Sequence, residues 1–376
     1  MTTSALDVPA GLNGVAVAAT SLGDVRGEEG FFHYRQYDAT HLARTRSFED
    51  VWFLFTAGRL PDAAEQSAFR AAVAGLRRIP ASLRPMIDAA AATPGTPLSR
   101  LRTVLSASAG PLELRPLIDL DPESRTAQAH AVAAVTPTAL AALHRASLGL
   151  APIEPDPSFG HVAAYLYEST GERPDVAVIR ALEQYLILTI DHGFNASTFT
   201  ARVVASTGAD LADVVSAAAG ALAGPLHGGA PSRALDALDA IGTPDRAADY
   251  VRSEIAAGRR IMGFGHPVYR APDPRSTLLR EVALGLGGEL VDRAVEVEAA
   301  ILATLAELKP DRPLPSNVEY YAGVVMATLG LPRQMFTPTF AVSRVVGWTA
   351  HAVEQAAAGK VIRPGSRYIG PAVERS

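Results

Sequence analysis

A helical start-and-stop grammar repeats along almost the whole chain, and it limits the possible folds more than any other feature. In SFEDVWFLFTAGRLP (47–61), Ser47 precedes a first turn carrying acids, apolar residues follow at helical spacing, and Gly58 and Pro61 close the segment. The same order recurs in TPTALAALHRASLG (136–149), VAVIRALEQYLILTI (176–190), ADLADVVSAAAGALAGP (209–225), DRAADYVRSEIAAGR (245–259), DRAVEVEAAILATLAEL (292–308) and FAVSRVVGWTAHAVEQAAAG (340–359). Period-two alternation is confined to the N-terminal region, where VAVAATSLGDVRGEEGFFHYRQYD predicts a small hairpin through a Gly27 to Gly30 turn. Nothing reads as a strand–helix–strand crossover, so the predicted class is all-α with a small N-terminal β-hairpin. LGLAPIEPDPSFG (148–160), with its three prolines, reads as a connector.

At 376 residues, 48% of them hydrophobic, the chain can bury a large core, and its length suits two or three domains. A net charge of −5 gives no electrostatic footprint for nucleic acid or an anionic membrane. The absence of cysteine excludes disulfides, thiolate chemistry and Cys-based zinc sites. The opening MTTSALDVPAGLNG lacks a basic region followed by an apolar one, and no apolar run reaches the ~18 residues of a membrane span. The expected compartment is the cytoplasm.

Three separated segments set an ionisable group beside glycines: GPLHGGA (224–230) with His227, MGFGHPVYR (262–270) with His266, and SNVEYYAG (316–323) with Glu319. Two imidazoles and a carboxylate that fold together can move a proton off carbon and stabilise the resulting oxyanion. Of the nine histidines, His33, His41, His130, His144, His161 and His351 have no such setting and read as surface or core residues. His192, in TIDHGFNAST, ends an apolar run and precedes Asn195, Ser197 and Thr198, a polar cluster that must be satisfied or used. No HExxH-like spacing supports a metal site, and MGFGH matches neither GxGxxG nor a P-loop, although its glycines can form an anion-binding nest. Arg270 and Arg275 flank the second histidine loop, Arg344 interrupts an apolar helix, and Arg363 lies in VIRPGSRY. Guanidinium groups suit a bidentate grip on carboxylates and phosphates, and Arg344 above all requires a partner.

The segments DHGFNASTFTARVVAST, GALAGPLHGGA, IMGFGHPVYRAPDPR, NVEYYAGVV, FTPTFAVSRVVGWTAH and VIRPGSRY, in this order, resemble the citrate synthase family, which includes 2-methylcitrate synthases. The likeness runs from about Gly11 to Gly370, and SNVEYYAG resembles the paralogues called citrate synthase 2. It implies a two-domain homodimer of a tricarboxylic acid cycle type of enzyme. The large domain would comprise 1–224 and 331–376 and the small one 225–330, with the site in the cleft between them. The reaction implied is condensation of acetyl-CoA or another short acyl-CoA with oxaloacetate, without a permanently bound cofactor or metal.

By match to the family's motifs, His227 would hydrogen-bond the thioester carbonyl, Glu319 would take the methyl proton, and His266 would protonate the oxaloacetate keto oxygen. His192, Arg275 and Arg344 would hold oxaloacetate, with Asn317 and Ser197 among its contacts and Arg363 arriving from the partner subunit. Arg270 and Arg312 would face CoA, whose adenine would lie on the Gly263, Phe264 and Gly265 backbone. Two positions depart from the family pattern: Glu319 stands where aspartate is usual, and Gly193 where glutamate usually follows the histidine. Other readings from the same resemblance are a propionyl-CoA-preferring enzyme, a citryl-CoA lyase-type activity, and a weakly active CoA-binding paralogue.

Overall fold

The computed structural model describes residues 8–12, 14–266 and 268–371; Pro267, next to His266, lies outside them. Strands β1 (Gly23–Arg26) and β2 (Phe31–Tyr34) pair antiparallel from Gly23↔Tyr34 to Arg26↔Phe31. The predicted hairpin gains a third strand, β3 (Tyr37–Asp38), on β2. Asp38 ends that strand and starts α1 (Ala39–Thr45), its carboxylate accepting from the N–H groups of Thr40 and His41.

Helix α2 (Phe48–Ala57) realises its predicted signals, with a reciprocal Ser47–Asp50 capping box and Gly58 closing it at φ 76°. Next come α3 (Ala63–Leu76), α4 (Arg84–Ala92), α5 (Pro97–Ser106) and α6 (Pro122–Ser147). The start expected at residue 136 is corrected here, because α6 begins at Pro122 behind an Asp121 cap and runs through Pro137. Proline in a helix interior normally breaks it. Here Val132 to Leu143 are buried against α16 and other helices, and the Thr136 hydroxyl donates to the Val132 carbonyl at 2.7 Å, so packing overrides the local stop signal.

The 148–160 connector leads to α7 (His161–Thr170), which packs back on α6, and α8 (Val176–Thr189), α9 (Ala196–Ala205) and α10 (Leu211–Leu222) follow. Helices α11 (Ala230–Ile241), α12 (Ala247–Ala256), α13 (Pro274–Leu286), α14 (Glu289–Leu308) and α15 (Val318–Thr328) pack chiefly on one another. The chain then returns through α16 (Phe336–Ala358), which lies across α6, α9 and α10. Helix α8 touches α13 and α15 as well as α16, so it lies where the two groups of helices meet. No helix among the described residues is long and apolar enough to cross a membrane.

Candidate active site

The loop from α8 to α9 carries Asp191, His192 and Asn195. Gly193 turns it at φ 61°, a conformation open to glycine at little cost, and the Asn195 side chain caps α9. His192 packs on Phe32, and its Nε2 lies 2.9 Å from the Tyr269 hydroxyl. Beneath it runs a buried chain in which Arg202 donates to His351 Nδ1 at 2.8 Å and His351 Nε2 donates to Asp191 at 3.2 Å. Burial alone would raise the Asp191 carboxyl, but His351, Arg344 and the His192 backbone together hold it below the usual range.

His227 sits in the turn between α10 and α11, where its N–H donates to the Gly224 carbonyl and the Thr337 hydroxyl of α16 donates to the Gly228 carbonyl. Its Nε2 is 2.8 Å from the fully buried Ser197 hydroxyl, which also accepts from Trp348 Nε1 at 3.1 Å and can donate to Asn195. That hydroxyl has a single proton: turned from Asn195 to His227 Nε2, it leaves the neutral ring with its own proton on Nδ1, which is then free to donate to a ligand. Burial, with Arg344 adding to it, pushes His227 down to about 4, so the ring is neutral at neutral pH.

The loop bearing His266 is stitched to the start of α15. Gly265 N–H donates to Pro315, Asn317 N–H to Gly263, and the Asn317 amide to the Gly265 carbonyl, while Phe264 bridges Ser316. Gly263 and Gly265 both have positive φ, and a Cβ on Gly265 would come 2.9 Å from Leu314. His266 Nδ1 accepts the N–H groups of Val268 and Tyr269 at 3.0 and 3.1 Å, which puts the ring proton on Nε2. Arg275 Nη2 lies 3.2 Å from that nitrogen. Two donors that close together call for an oxygen acceptor between them. Burial, reinforced by Arg275, holds His266 at about 4 and His192 well below its ordinary value.

The two guanidiniums are both buried, and they are partnered differently. Arg275 is gripped by Asp273 through Nε and Nη2 at 3.0 and 2.8 Å, and this pairing outweighs burial to raise Arg275 and lower Asp273. Arg344 donates Nε to the Thr189 carbonyl at 2.7 Å and leaves Nη1 enclosed and unpartnered among the described residues. Burial lowers Arg344 despite Asp191 nearby. The charges of Arg275 and Arg344 act on His192, and those of Arg275 also reach His266 and Glu319. Glu319 is half-buried in the first turn of α15, and burial pushes its carboxyl up to about 7 against the pull of Arg275.

The remaining predicted residues lie apart or are internally engaged. Asn317 caps α15 with its side-chain oxygen, and the Gly265 carbonyl holds its amide nitrogen. Arg270 is exposed at the rim of a recess lined by Pro272, Leu302, Leu305, Pro313 and Leu314, and Arg312 is exposed after α14. Arg363 is exposed on the segment beyond Gly359, and no hydrogen bond or ion pair ties it to the site among the described residues. Asp191, Tyr269, Asp273 and Trp348 are site residues that the sequence reading does not single out, although all four stand within the motifs DHGFN, HPVYRAPDPR and VVGWTAH near residues that it does.

Residues 11–365 match the family described as "Citrate synthase, C-terminal domain". A citrate synthase from Synechocystis sp. is 37% identical over 361 residues, covering 96% of this chain and 90% of the relative. A 2-methylcitrate synthase from Mycobacterium tuberculosis is 37% identical over 370 residues, covering 97% and 91%. Among solved structures, the ternary complex of carboxymethyl coenzyme A and oxaloacetate with citrate synthase from Thermoplasma acidophilum superposes with a TM-score of 0.89 at 27% identity, covering 98% of each chain. Coverage of this extent, joined to a fold and a cluster of neutral imidazoles, buried guanidiniums and one raised carboxyl assembled from the expected segments, places this chain in the citrate synthase family.

Proposed function

We infer that the protein condenses a short acyl-CoA with oxaloacetate, releasing CoA, and that acetyl-CoA is the first candidate donor. The observation that carries this reading is the Glu319 carboxyl, raised to about 7, set among neutral imidazoles and two buried guanidiniums. A thioester α-proton is far too weakly acidic for a carboxylate to remove unless the developing oxyanion is stabilised in place. Glu319 takes that proton, the electron pair moves onto the thioester oxygen, and His227 hydrogen-bonds the enolate there. The enolate carbon then attacks the oxaloacetate keto carbon, whose oxygen takes the proton from His266 Nε2. Water cleaves the citryl-CoA thioester and the thiol leaves.

Arg275, Arg344 and His192 hold the oxaloacetate carboxylates in this scheme, and Arg363 of a second subunit completes the set in a homodimer. Asn317 and Ser197 act as positioning residues, because their polar atoms are spent on the α15 cap and on His227. CoA lies along Arg270, Arg312 and the backbone of Gly263, Phe264 and Gly265. Residues 225–330 close as a small domain on the body formed by 1–224 and 331–376, and the protein works in the cytoplasm. Relatives of both names stand at the same identity, so propionyl-CoA is the second donor reading. The test is thiol release from acetyl- and propionyl-CoA with oxaloacetate, with and without a chelator. Release above the buffer control with either donor is expected, unchanged by the chelator; no release with either one removes the synthase reading, and CoA binding without turnover favours the inactive paralogue.

A further inference from the structure

Tyr185 plays no part in the scheme above. It stands on α8 one turn before Thr189, whose carbonyl holds Arg344 Nε. The side chain is 1% exposed, and its hydroxyl is enclosed with no hydrogen-bond partner among the described residues. α8 packs against α13, α15 and α16, the helices that carry Arg275, Glu319 and Arg344, and the charges of all three residues act on the Tyr185 phenol. Burial pushes its ionisation above the ordinary range, so it remains a neutral donor.

Buried hydroxyls without partners are uncommon in native proteins, and one on the helix packed against those that carry Arg275, Glu319 and Arg344 points to a ligand acceptor. Arg344 Nη1 is a second enclosed donor, on the side chain whose Nε is held by the α8 carbonyl of Thr189. Resting on the oxaloacetate reading above, we propose that the Tyr185 hydroxyl donates a hydrogen bond to the substrate carboxylate bound by Arg344. Glu319 is the competing acceptor. The Tyr185 hydroxyl makes no hydrogen bond to Glu319 among the described residues, so the substrate oxygen is the better assignment.

Tyr185→Phe keeps the ring and removes only the hydroxyl. Oxaloacetate affinity is measured by calorimetry, alongside thiol-release kinetics as a function of pH and thermal melting, for wild type and variant. The expected result is a roughly 10- to 100-fold loss of oxaloacetate affinity, the worth of one hydrogen bond to a charged group, with a matching rise in its KM. The KM for acyl-CoA, the acid limb of the pH profile and the melting temperature should stay in place. Unchanged oxaloacetate affinity overturns the proposal, and if the acid limb then shifts upward, the hydroxyl belongs to Glu319 instead. A fall in melting temperature with no selective loss of oxaloacetate affinity also overturns it, by making the role structural. A wild-type protein that binds oxaloacetate yet releases no thiol would defeat the synthase reading while the affinity comparison still judges Tyr185.

Discussion

Glu319 has little freedom of position. Its neighbour Val318 donates its N–H to Asp273 at 3.1 Å, Asn317 is pinned to Gly263 and Gly265, and both contacts fix the first turn of α15. Shortening Glu319 to aspartate therefore withdraws the carboxylate by about 1.5 Å without a compensating backbone shift, and displacement of ~1 Å can cost about 10²-fold. We expect Glu319→Asp to lower kcat, and Glu319→Gln, which keeps the shape but cannot take a proton, to lower it by roughly 10²–10⁴-fold. Steady-state assays decide; near-wild-type turnover in the glutamine variant would remove Glu319 from the chemistry. The same carboxyl sets the pH dependence. A base must be deprotonated, so with Glu319 at about 7 the rate should fall about tenfold per pH unit below that point, while His227 and His266, held at about 4, stay neutral. A pH–rate profile that is flat through the acid side of neutrality contradicts this assignment.

Among the elements, α16 does the most to hold the site together. Arg344 reaches the end of α8, Trp348 reaches Ser197 beside His227, and His351 reaches Asp191 beside His192. This works only because α16 approaches the α8 terminus closely at Gly347, where an added Cβ would lie 2.1 Å from the Ile190 carbonyl oxygen. Gly347→Ala should push α16 away from the loop, cost about 1–3 kcal/mol of stability and reduce oxaloacetate affinity along with it. Gly285→Ala is the control, since nothing lies within 4 Å of a Cβ there, and it should be neutral or slightly stabilising. Thermal melts of the two variants separate the cases: equal melting temperatures would mean that the close contact at Gly347 carries no weight.

For the whole molecule, the question is what lies against the C-terminal segment. Val361, Tyr368 and Ile369 are 62%, 71% and 88% exposed, an apolar series that a single chain leaves uncovered, and Arg363 stands among them. A second copy that receives this segment would bury it and bring Arg363 to the neighbouring site. Mixing inactive Arg363→Ala chains with inactive His227→Ala chains should then restore activity, because each hybrid dimer contains one site with both residues intact. Random assembly makes about half the dimers hybrid, so about a quarter of all sites recover. Demonstrated hybrids with no activity would mean that each site is built within one chain.

Sequence alone determined the local elements and the chemical vocabulary. Caps such as Ser47 with Asp50, stops such as Gly58, and the glycines beside His227 and His266 are backbone requirements, so they are written where they act. Tertiary structure decided what local signals contradict or cannot express. Pro137 reads as part of the first turn of a helix starting at residue 136, yet α6 begins at Pro122 and buried packing carries it through Pro137. Tyr185 reads as one more apolar-face aromatic on α8, because nothing in its own segment records that the helices carrying Arg275, Glu319 and Arg344 pack against α8. His351, with no glycine neighbours, reads as ordinary until Asp191 and Arg202 close on it. A capping signal acts over one turn and is visible in four residues, whereas burial and Coulomb fields act between groups more than a hundred residues apart, and only the folded chain brings them together.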